Sequence, residues 1–391
     1  MLKGKMVIGQ SGGPTAVINQ SLVGAILEAR KHESITGILG ARHGLAGIMK
    51  EDFIDLSSQP VAQLEDIANT PAAALGSVRL KPGKAECERV FEVFKQHDVR
   101  FFFYIGGNDS AETAHIIAEM AKAADYDFCT IHIPKTIDND LRVTDHCPGF
   151  ASAAKFVALA FMGDDRDNQA LSGVKINVVM GRDAGFLTAA SALARQHEGD
   201  GPHLIYVPER VFKPAQFQED VRKQVAEHGR CVIAVSEGIV DDSGQPIASS
   251  GEKDSHGNLQ LSGTGALGDA LSAMLKAALP EGTRIRADTF GYLQRSFPSV
   301  VADVDVKEAR EVGTFAVHHA ATSASNGSVA IKRLSNKPYR SEYFITPLAS
   351  VAREATALKD VYIDEAGNDV TQAWLDYVSP LVGELPRMGK F

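Results

Sequence analysis

Short runs of apolar residues alternate along the chain with longer amphipathic segments. The runs have the length of buried strands, and the most apolar of them are Ile35 to Ala41, Phe101 to Ile105, Phe128 to Ile133, Val174 to Met180 and Cys231 to Ser236. Several segments between the runs have the apolar spacing of helices. Buried strands that alternate with helices are typical of βαβ units around parallel sheets. The pattern therefore predicts an α/β protein.

Two of these strands lead into glycine pairs. Ser11-Gly12-Gly13 follows the first strand, Lys5 to Gln10, and Gly106-Gly107-Asn108-Asp109 follows a later strand and opens a helix. Glycine lets the backbone approach an anion, and the free N–H groups at a helix N-terminus favour phosphate. Any doubly wound fold can turn in this way, so the glycines alone do not distinguish a phosphate loop from an ordinary turn.

A dense group of polar side chains follows the strand that ends at Ile133. The stretch Lys135-Thr136-Ile137-Asp138-Asn139-Asp140 holds an amine, a hydroxyl and two carboxylates, which would point to one side of an extended segment. A carboxylate that takes a proton from a hydroxyl, beside a lysine that neutralises phosphate, suits phosphoryl transfer. The alternative is a solvated Asp-Asn-Asp turn. Loops after neighbouring parallel strands meet at one sheet edge, so we expect Asn108 and Asp109 to share this cleft.

Composition narrows the class of protein. The chain has 391 residues and a formal charge of -9, which predicts two domains and argues against nonspecific nucleic-acid binding. No apolar run approaches the ~18 residues of a membrane-spanning helix. The four cysteines lack metal-site spacing, so we expect buried free thiols in a reducing cytoplasm. The sequence predicts a cytoplasmic protein without a membrane anchor.

The motifs Gly-Gly-Asn-Asp-Ser and Pro-Lys-Thr-Ile-Asp-Asn-Asp resemble those of the phosphofructokinase family, and within it the pyrophosphate-dependent branch. Further matches end at Arg79, Arg182 and Arg295, and the resemblance runs from about Val7 to at least Arg333. It implies two doubly wound, Rossmann-like domains with parallel sheets and the active cleft between them. Residues 1–149 plus 296–346 would bind the phosphoryl donor, and residues 150–295 plus 347–391 the sugar phosphate.

The resemblance also implies a reaction. It is reversible transfer of a phosphoryl group from pyrophosphate to the 1-hydroxyl of fructose 6-phosphate, a step of glycolysis and gluconeogenesis that uses Mg2+. We expect a homodimer or a higher homo-oligomer, because family members are oligomers. Three alternatives stay open: an ATP-dependent phosphofructokinase, a different sugar phosphate such as sedoheptulose 7-phosphate, and a non-catalytic sugar-phosphate sensor.

Residue roles follow from the same resemblance. The implied catalytic residues are Asp138 as base with Lys135, Thr136 and Asp109. The implied pyrophosphate ligands are Gly13, Arg79 and Lys135, with Asn108 beside the metal. The implied sugar-phosphate residues are Thr136, Ile137, Asp138, Met180, Gly181, Arg182, Glu237, Arg286, Tyr292 and Arg295. In the ATP-dependent branch the positions of Asp109 and Lys135 usually carry glycine, so these two side chains are predicted to select pyrophosphate.

Simpler roles compete with several of these assignments. Asp109 could cap the helix that begins near Ser110, and Arg182 could pair with Asp183. Glu237 could be a charge at the start of a helix.

Lys81 and Lys84 are expected to make the surroundings of Arg79 basic. Residues 241–263 are predicted to form an inserted surface loop or hairpin, and the tail past Ser350 is predicted to be mostly helical, with Trp374 packed near the end.

Overall fold

The computed structural model describes residues 2–248, 251, 261, 264–352 and 354–390. The chain forms two compact units, and it enters each of them twice. The first unit comprises Met1–Ser152 and Arg295–Ala355, and the second comprises Ala153–Gln294 and Thr356–Phe391. Much of the predicted surface segment at residues 241–263 lies outside the described residues. The predicted assignment of one domain to pyrophosphate and the other to the sugar phosphate remains a prediction.

Strands and helices alternate along most of the chain. The strands are β1 (Gly4–Gln10), β2 (Ile35–Ala41), β3 (Phe53–Asp55), β4 (Val99–Gly106), β5 (Cys129–Pro134), β6 (Gly173–Val179), β7 (Leu204–Tyr206), β8 (Arg230–Ser236), β9 (Ile285–Thr289), β10 (Gly327–Asn336) and β11 (Tyr339–Thr346). The helices are α1 (Ile18–Ala29), α2 (Leu45–Lys50), α3 (Val61–Ala68), α4 (Lys84–Gln96), α5 (Asn108–Ala123), α6 (Phe150–Leu171), α7 (Phe186–Ala190), α8 (Pro214–His228), α9 (Ala266–Lys276), α10 (Asp303–Ser323) and α11 (Gln372–Val382).

Each unit is built on its own sheet. The first has the strand order β11-β10-β5-β4-β1-β2-β3, and the second has the order β7-β8-β6-β9. All neighbours in the second sheet are parallel. In the first sheet the central pairs are parallel, while β3 and β11 are antiparallel edge strands. The predicted α/β fold with parallel sheets is confirmed, and the antiparallel edges are a feature that the apolar pattern did not reveal.

The apolar run in β4 explains why helices cover both faces of the first sheet. Phe101, Phe103 and Ile105 pack on one face with residues of α1 and α10. Phe102 and Tyr104 pack on the other face with residues of α2 and α4. Successive side chains of a strand point to opposite faces, so an unbroken apolar run requires cover on both sides.

The loops that follow β1, β4 and β5 lie side by side at the carboxyl edge of the first sheet. Gly106 at the end of β4 is in register with Pro134 at the end of β5. The backbone N–H of Lys135 donates to the carbonyl oxygen of Gly106 across 3.0 Å, and that of Ser11 donates to Ile105 across 2.9 Å. The sheet therefore brings together the two glycine loops and the Lys135 loop, as expected from parallel topology.

The prediction that the tail past Ser350 is mostly helical is wrong. Among its described residues, α11 is the one α-helix. A tight turn precedes it: Gly367 has a φ of +74°, and its N–H donates to the carbonyl oxygen of Asp364 across 3.1 Å. The prediction for Trp374 is confirmed: the ring is fully buried, and its Nε1–H donates to the carbonyl oxygen of Ala189 across 2.9 Å.

Two further expectations concern the whole chain. The four cysteines are free and buried, as their spacing and apolar surroundings predicted. Among the described residues, the longest helices are too polar to cross a membrane.

Candidate active site

Lys135 is the centre of the polar site in the first unit. The residue follows β5 directly, and its side chain is almost completely buried. Its Nζ donates a hydrogen bond to the carbonyl oxygen of Gly13 across 2.8 Å. Gly12 has a φ of +77°, and a Cβ there would lie 3.1 Å from that Nζ. The glycine pair is therefore needed both for the turn and for the close approach of the lysine.

Two arginines reinforce the positive charge at Lys135. A Cβ on Gly13 would lie only 2.8 Å from Nη1 of Arg295, so the guanidinium covers this loop. Burial lowers the pKa of Lys135 to about 8; the carboxylate of Asp138 acts in the opposite direction, and the charges of Arg295 and Arg79 lower the pKa further. An ammonium group whose pKa is lowered by burial and by two nearby guanidinium groups forms a site that is suited to a highly charged anion.

The segment that carries Arg79 is fastened to the first glycine loop. The Ser77 hydroxyl donates to the carbonyl oxygen of Gly12 across 2.6 Å, and the Gly12 N–H donates to Val78 across 3.0 Å. Sequence reasoning singled out Gly13 and Arg79 but not Gly12 or Ser77. The signal was present, because both missed residues lie in the Ser-Gly-Gly and Gly-Ser-Val-Arg motifs that carried the resemblance.

The loop that carries Asp138 is bent rather than extended. Asn139 has a φ of +58°, so the assumption that Asp138 and Asp140 point to one side of an extended segment is wrong. The amide oxygen of Asn139 accepts from the Cys147 N–H across 2.9 Å, and the Asp138 N–H donates to the Thr136 hydroxyl across 3.1 Å. These bonds hold the half-buried Asp138 at a fixed place beside Lys135. Ile137 is buried and anchors the loop.

Asn108 and Asp109 form the first turn of α5. The helix begins at Asn108 with Gly107 as its N-cap, so the alternative that Asp109 caps a helix at Ser110 is wrong. The Asn108 side-chain oxygen accepts from the Asp109 N–H across 2.9 Å. Lys81 lies 3.8 Å from the Asp109 carboxylate and 3.5 Å from that of Glu112. The positive charge of Lys81, which was expected to make the surroundings of Arg79 basic, therefore mainly faces these two carboxylates.

The same loops offer oxygen ligands for a divalent cation. Asn108 and Asp109 follow β4, Asp138 follows β5, and these two strands are parallel neighbours. Mg2+ prefers oxygen ligands and needs only one or two carboxylates besides water and phosphate oxygens. The residues present thus fit a magnesium ion that binds together with an anionic substrate.

A second group of predicted residues lies in the second unit, at the carboxyl ends of β6 and β8. These strands are parallel neighbours, and Val179 is in register with Ser236. The Glu237 N–H donates to the carbonyl oxygen of Val179 across 2.9 Å, and the Ser236 hydroxyl donates to that of Gly181. Adjacent strand ends therefore bring the Met180-Gly181-Arg182 segment next to Glu237.

The backbone around these residues is tightly packed. A Cβ on Gly238 would lie 1.8 Å from the carbonyl oxygen of Arg182, so only glycine fits. A turn follows Glu237, and Val240 then pairs with Pro246. The alternative that Glu237 starts a helix is therefore wrong. Glu237 is buried, unlike a solvated charge at a helix start.

Arg286 and Tyr292 lie on β9, which pairs with β6, and on the turn that follows it. Arg286 is exposed on β9, an edge strand, and its Nη1 donates to the carbonyl oxygen of Ile285 across 2.8 Å. Tyr292 is exposed on a short 3-10 turn, Gly291–Arg295. Gln294 in the same turn is buried, and its side-chain oxygen accepts from the Met180 N–H across 3.3 Å. Sequence reasoning missed Gln294, although it is part of the Gly-Tyr-Leu-Gln-Arg motif.

Comparisons with known proteins identify close relatives. A family model described as phosphofructokinase matches residues 5–320. A pyrophosphate--fructose 6-phosphate 1-phosphotransferase from Rhodospirillum rubrum is 54% identical over 98% of this chain and 95% of its own, and one from Xanthomonas campestris is 39% identical over 99% and 93%. The crystal structure of a pyrophosphate-dependent phosphofructokinase from Marinobacter aquaeolei superimposes with a TM-score of 0.87 at 36% identity, over 98% of this chain and 94% of that one.

Proposed function

The chain belongs to the phosphofructokinase family, and we propose that it transfers a phosphoryl group reversibly from pyrophosphate to the 1-hydroxyl of fructose 6-phosphate. The products are fructose 1,6-bisphosphate and phosphate. The names of the relatives at 54% and 39% identity over nearly the whole chain support this reaction over the ATP-dependent alternative. The structural observation that carries the proposal is the buried ammonium group of Lys135, bonded to the Gly13 loop and flanked by Arg79 and Arg295.

The first unit supplies the groups that act on the donor. Lys135, Arg79 and the backbone at Gly13 bind pyrophosphate and neutralise the charge on the phosphoryl group that leaves it. Asp138 accepts the proton of the 1-hydroxyl as the new C–O–P bond forms and the P–O bond of pyrophosphate breaks. Thr136 holds the loop of Asp138 in place through its hydrogen bond to the Asp138 N–H.

The second unit supplies the groups that recognise the sugar phosphate. Arg182 is suited to a phosphate or sugar oxygen because its planar guanidinium donates two parallel hydrogen bonds. Glu237 accepts hydrogen bonds from sugar hydroxyls, and Arg286 and Tyr292 are further candidates. Arg295 was predicted for the sugar phosphate, and its position beside Gly13 makes it a candidate for both substrates.

Magnesium is proposed as the cofactor. Asn108 with Asp109 would hold the ion, which would supply positive charge to the pyrophosphate oxygens. The weaker donor at Asn108 is compensated by the adjacent carboxylate of Asp109. A cytoplasmic location and a homodimer or larger homo-oligomer are part of the same proposal.

A direct test measures turnover of the purified protein with pyrophosphate and with ATP, against fructose 6-phosphate and sedoheptulose 7-phosphate. We expect phosphate release that requires pyrophosphate, Mg2+ and fructose 6-phosphate together. Turnover with ATP alone would assign the chain to the other branch. Absence of turnover with either donor, in protein that binds fructose 6-phosphate, would identify a sensor instead of an enzyme.

A further inference from the structure

A group of metal-binding side chains lies on α1 and α10, apart from all the residues assigned above. Glu28 is in the last turn of α1, His32 is in the turn that follows, and His318 is on α10. One potential ligand atom from each residue lies within 4.8 Å of the other two. These residues come together only in the folded chain, since His318 is far from the other two in sequence.

The three side chains converge on one point. Oε1 of Glu28 lies 3.0 Å from Nε2 of His32 and 3.4 Å from Nδ1 of His318. The imidazole centroids are 5.8 Å apart, with the rings tilted by 58°. One carboxylate oxygen thus faces a nitrogen from each of two imidazoles, and a single cation can bind all three groups.

The surroundings favour a cation at this point. Glu28 is buried, and its other oxygen is held by Nζ of Lys31 across 2.7 Å, which fixes the carboxylate with Oε1 toward the histidines. A surface cavity of about 350 Å³ adjoins the group and is lined by Glu28, Glu311, Thr314, Phe315, His318 and Tyr343. The cavity leaves room for a water molecule as a fourth ligand.

We propose that Glu28, His32 and His318 bind a divalent transition-metal ion, with Zn2+ as the best match, and that the ion fastens the end of α1 to α10. Two imidazole nitrogens and one carboxylate oxygen form a donor set that zinc accepts in tetrahedral sites with one open position. Imidazole is a poor ligand for Mg2+, so this site is chemically distinct from the magnesium site of the proposed reaction. The ion would thus link two helices that both pack against the sheet of the first unit.

The experiment is a calorimetric titration of tag-free, chelator-treated full-length protein with Zn2+, in the presence of excess Mg2+. We expect one Zn2+ to bind per chain at this site and to raise the melting temperature. His318→Ala and His32→Ala should each weaken the binding at least roughly tenfold, because even an outer partner of a metal ligand typically contributes 10- to 100-fold. His319→Ala is the matched control, since this neighbour on α10 points to Ser325 instead and should bind Zn2+ like the wild type.

Cobalt substitution provides a second measurement. The Co2+ protein should show the visible absorption of a site with nitrogen and oxygen ligands, and Glu28→Gln should alter that spectrum. Wild-type affinity and stoichiometry in both His318→Ala and His32→Ala would overturn the proposal, as would a melting temperature that Zn2+ does not raise. Circular dichroism of each variant confirms that a loss of binding does not come from unfolding.

Discussion

The side-chain nitrogen of Lys135 donates to the carbonyl oxygen of Gly13 across 2.8 Å, although 122 residues separate the two in sequence. The contact joins the loop after β5 to the loop after β1. It also uses one of the three N–H donors of the ammonium group, so two remain for other acceptors. The contact therefore places the lysine against the first glycine loop, as the proposed role of both in pyrophosphate binding requires.

Lys135 leads to a prediction about pH. Its pKa is lowered to about 8, first by burial and then by Arg295 and Arg79, against the opposing effect of Asp138. Bound pyrophosphate favours the charged amine and raises this pKa, so binding is strongest below pH 8 and weakens as the pH rises through it. We expect the KM for pyrophosphate to be level below pH 8 and to rise toward about tenfold per pH unit above it, as for binding to one protonated group.

The control for this prediction lies within the same assay. Lys135→Arg keeps its charge at every pH used, so its KM for pyrophosphate should not show the rise above pH 8. A wild-type KM that is constant up to pH 10 would contradict the role of Lys135 in donor binding.

Asp138 leads to a prediction about turnover. Loss of a general base typically costs ~100- to 10,000-fold, so Asp138→Asn should lower kcat by that amount and leave the KM for the sugar nearly unchanged. Asp140→Asn is the matched control, because its charge also acts on Lys135 but no role as base is assigned to it. More than about a tenth of wild-type kcat in Asp138→Asn, or an equal loss in Asp140→Asn, would show that the base lies elsewhere.

Arg182 and Arg295 lead to a paired prediction. Hydrogen bonds to charged groups contribute ~1.5–3 kcal/mol, so truncation of either arginine should raise the KM for the sugar phosphate about tenfold or more. The sequence predicted that Arg295→Ala spares pyrophosphate. Because Arg295 covers Gly13, we now expect that variant to raise the KM for pyrophosphate as well, whereas Arg182→Ala should leave it unchanged.

Steady-state kinetics on both variants, with each substrate varied in turn, decides between the two expectations for Arg295. An effect on the sugar phosphate alone would support the sequence-based role. An effect of Arg182→Ala on both substrates would remove the distinction between the two arginines.

The motifs predicted most of the features that follow from the order and direction of the strands. The family and the α/β fold class are confirmed, because glycine turns and apolar runs follow directly from backbone geometry and burial. The contacts between loops were harder to predict from the sequence. The left-handed conformation of Asn139 accompanies a hydrogen bond from Cys147, which lies outside the motif, and the first residue of α5 is a boundary that sequence patterns do not determine. The roles of the individual site residues remain predictions for the experiments above.

The error in the tail has a local cause. The tail was predicted to be mostly helical, but Gly367 has a positive φ that turns the chain, and Ile363 pairs with Val370 across that turn. The turn signal at this glycine was present in the sequence.

His146 leads to a prediction about stability. Burial alone would lower its pKa, but hydrogen bonds to Asp145 and Glu308 raise it to about 9, above its ordinary value of 6.5. Its charged form therefore stabilises the fold fully below pH 6.5, and this contribution is lost as the pH rises through about 9. We expect the free energy of unfolding to fall by on the order of 3 kcal/mol across that interval, since the two pKa values differ by about 2.5 and one pKa unit corresponds to about 1.4 kcal/mol.

Urea unfolding of the wild type at several pH values measures this slope. The double variant His146→Gln, Glu308→Gln removes the charge pair and should flatten the profile, whereas His115→Gln on α5 should keep the wild-type slope. A profile for the double variant as steep as that of the wild type would assign the slope to other groups.

Asp109 leads to the prediction that decides the choice of phosphoryl donor. Its carboxylate occupies a position where the ATP-dependent branch usually has glycine, and it would repel the additional phosphate of a nucleotide. Two unit charges ~4 Å apart repel by about 4 kcal/mol at an effective dielectric of ~20, but this side chain is 60% exposed and lies 3.8 Å from Lys81, so solvent and the lysine reduce the repulsion. We therefore expect a preference for pyrophosphate over ATP of at least roughly tenfold in kcat/KM.

Two variants of Asp109 test this expectation. Asp109→Gly should reduce the preference for pyrophosphate by admitting ATP. Asp109→Asn, which keeps the size of the side chain but not its charge, separates repulsion from steric exclusion. Gly107 is the N-cap of α5, so loss of this carboxylate from the first turn should cost only about 0.3–1 kcal/mol of stability. An unchanged donor preference in both variants would show that Asp109 does not select the donor, and a wild-type preference for ATP would reject the assignment to the pyrophosphate-dependent branch.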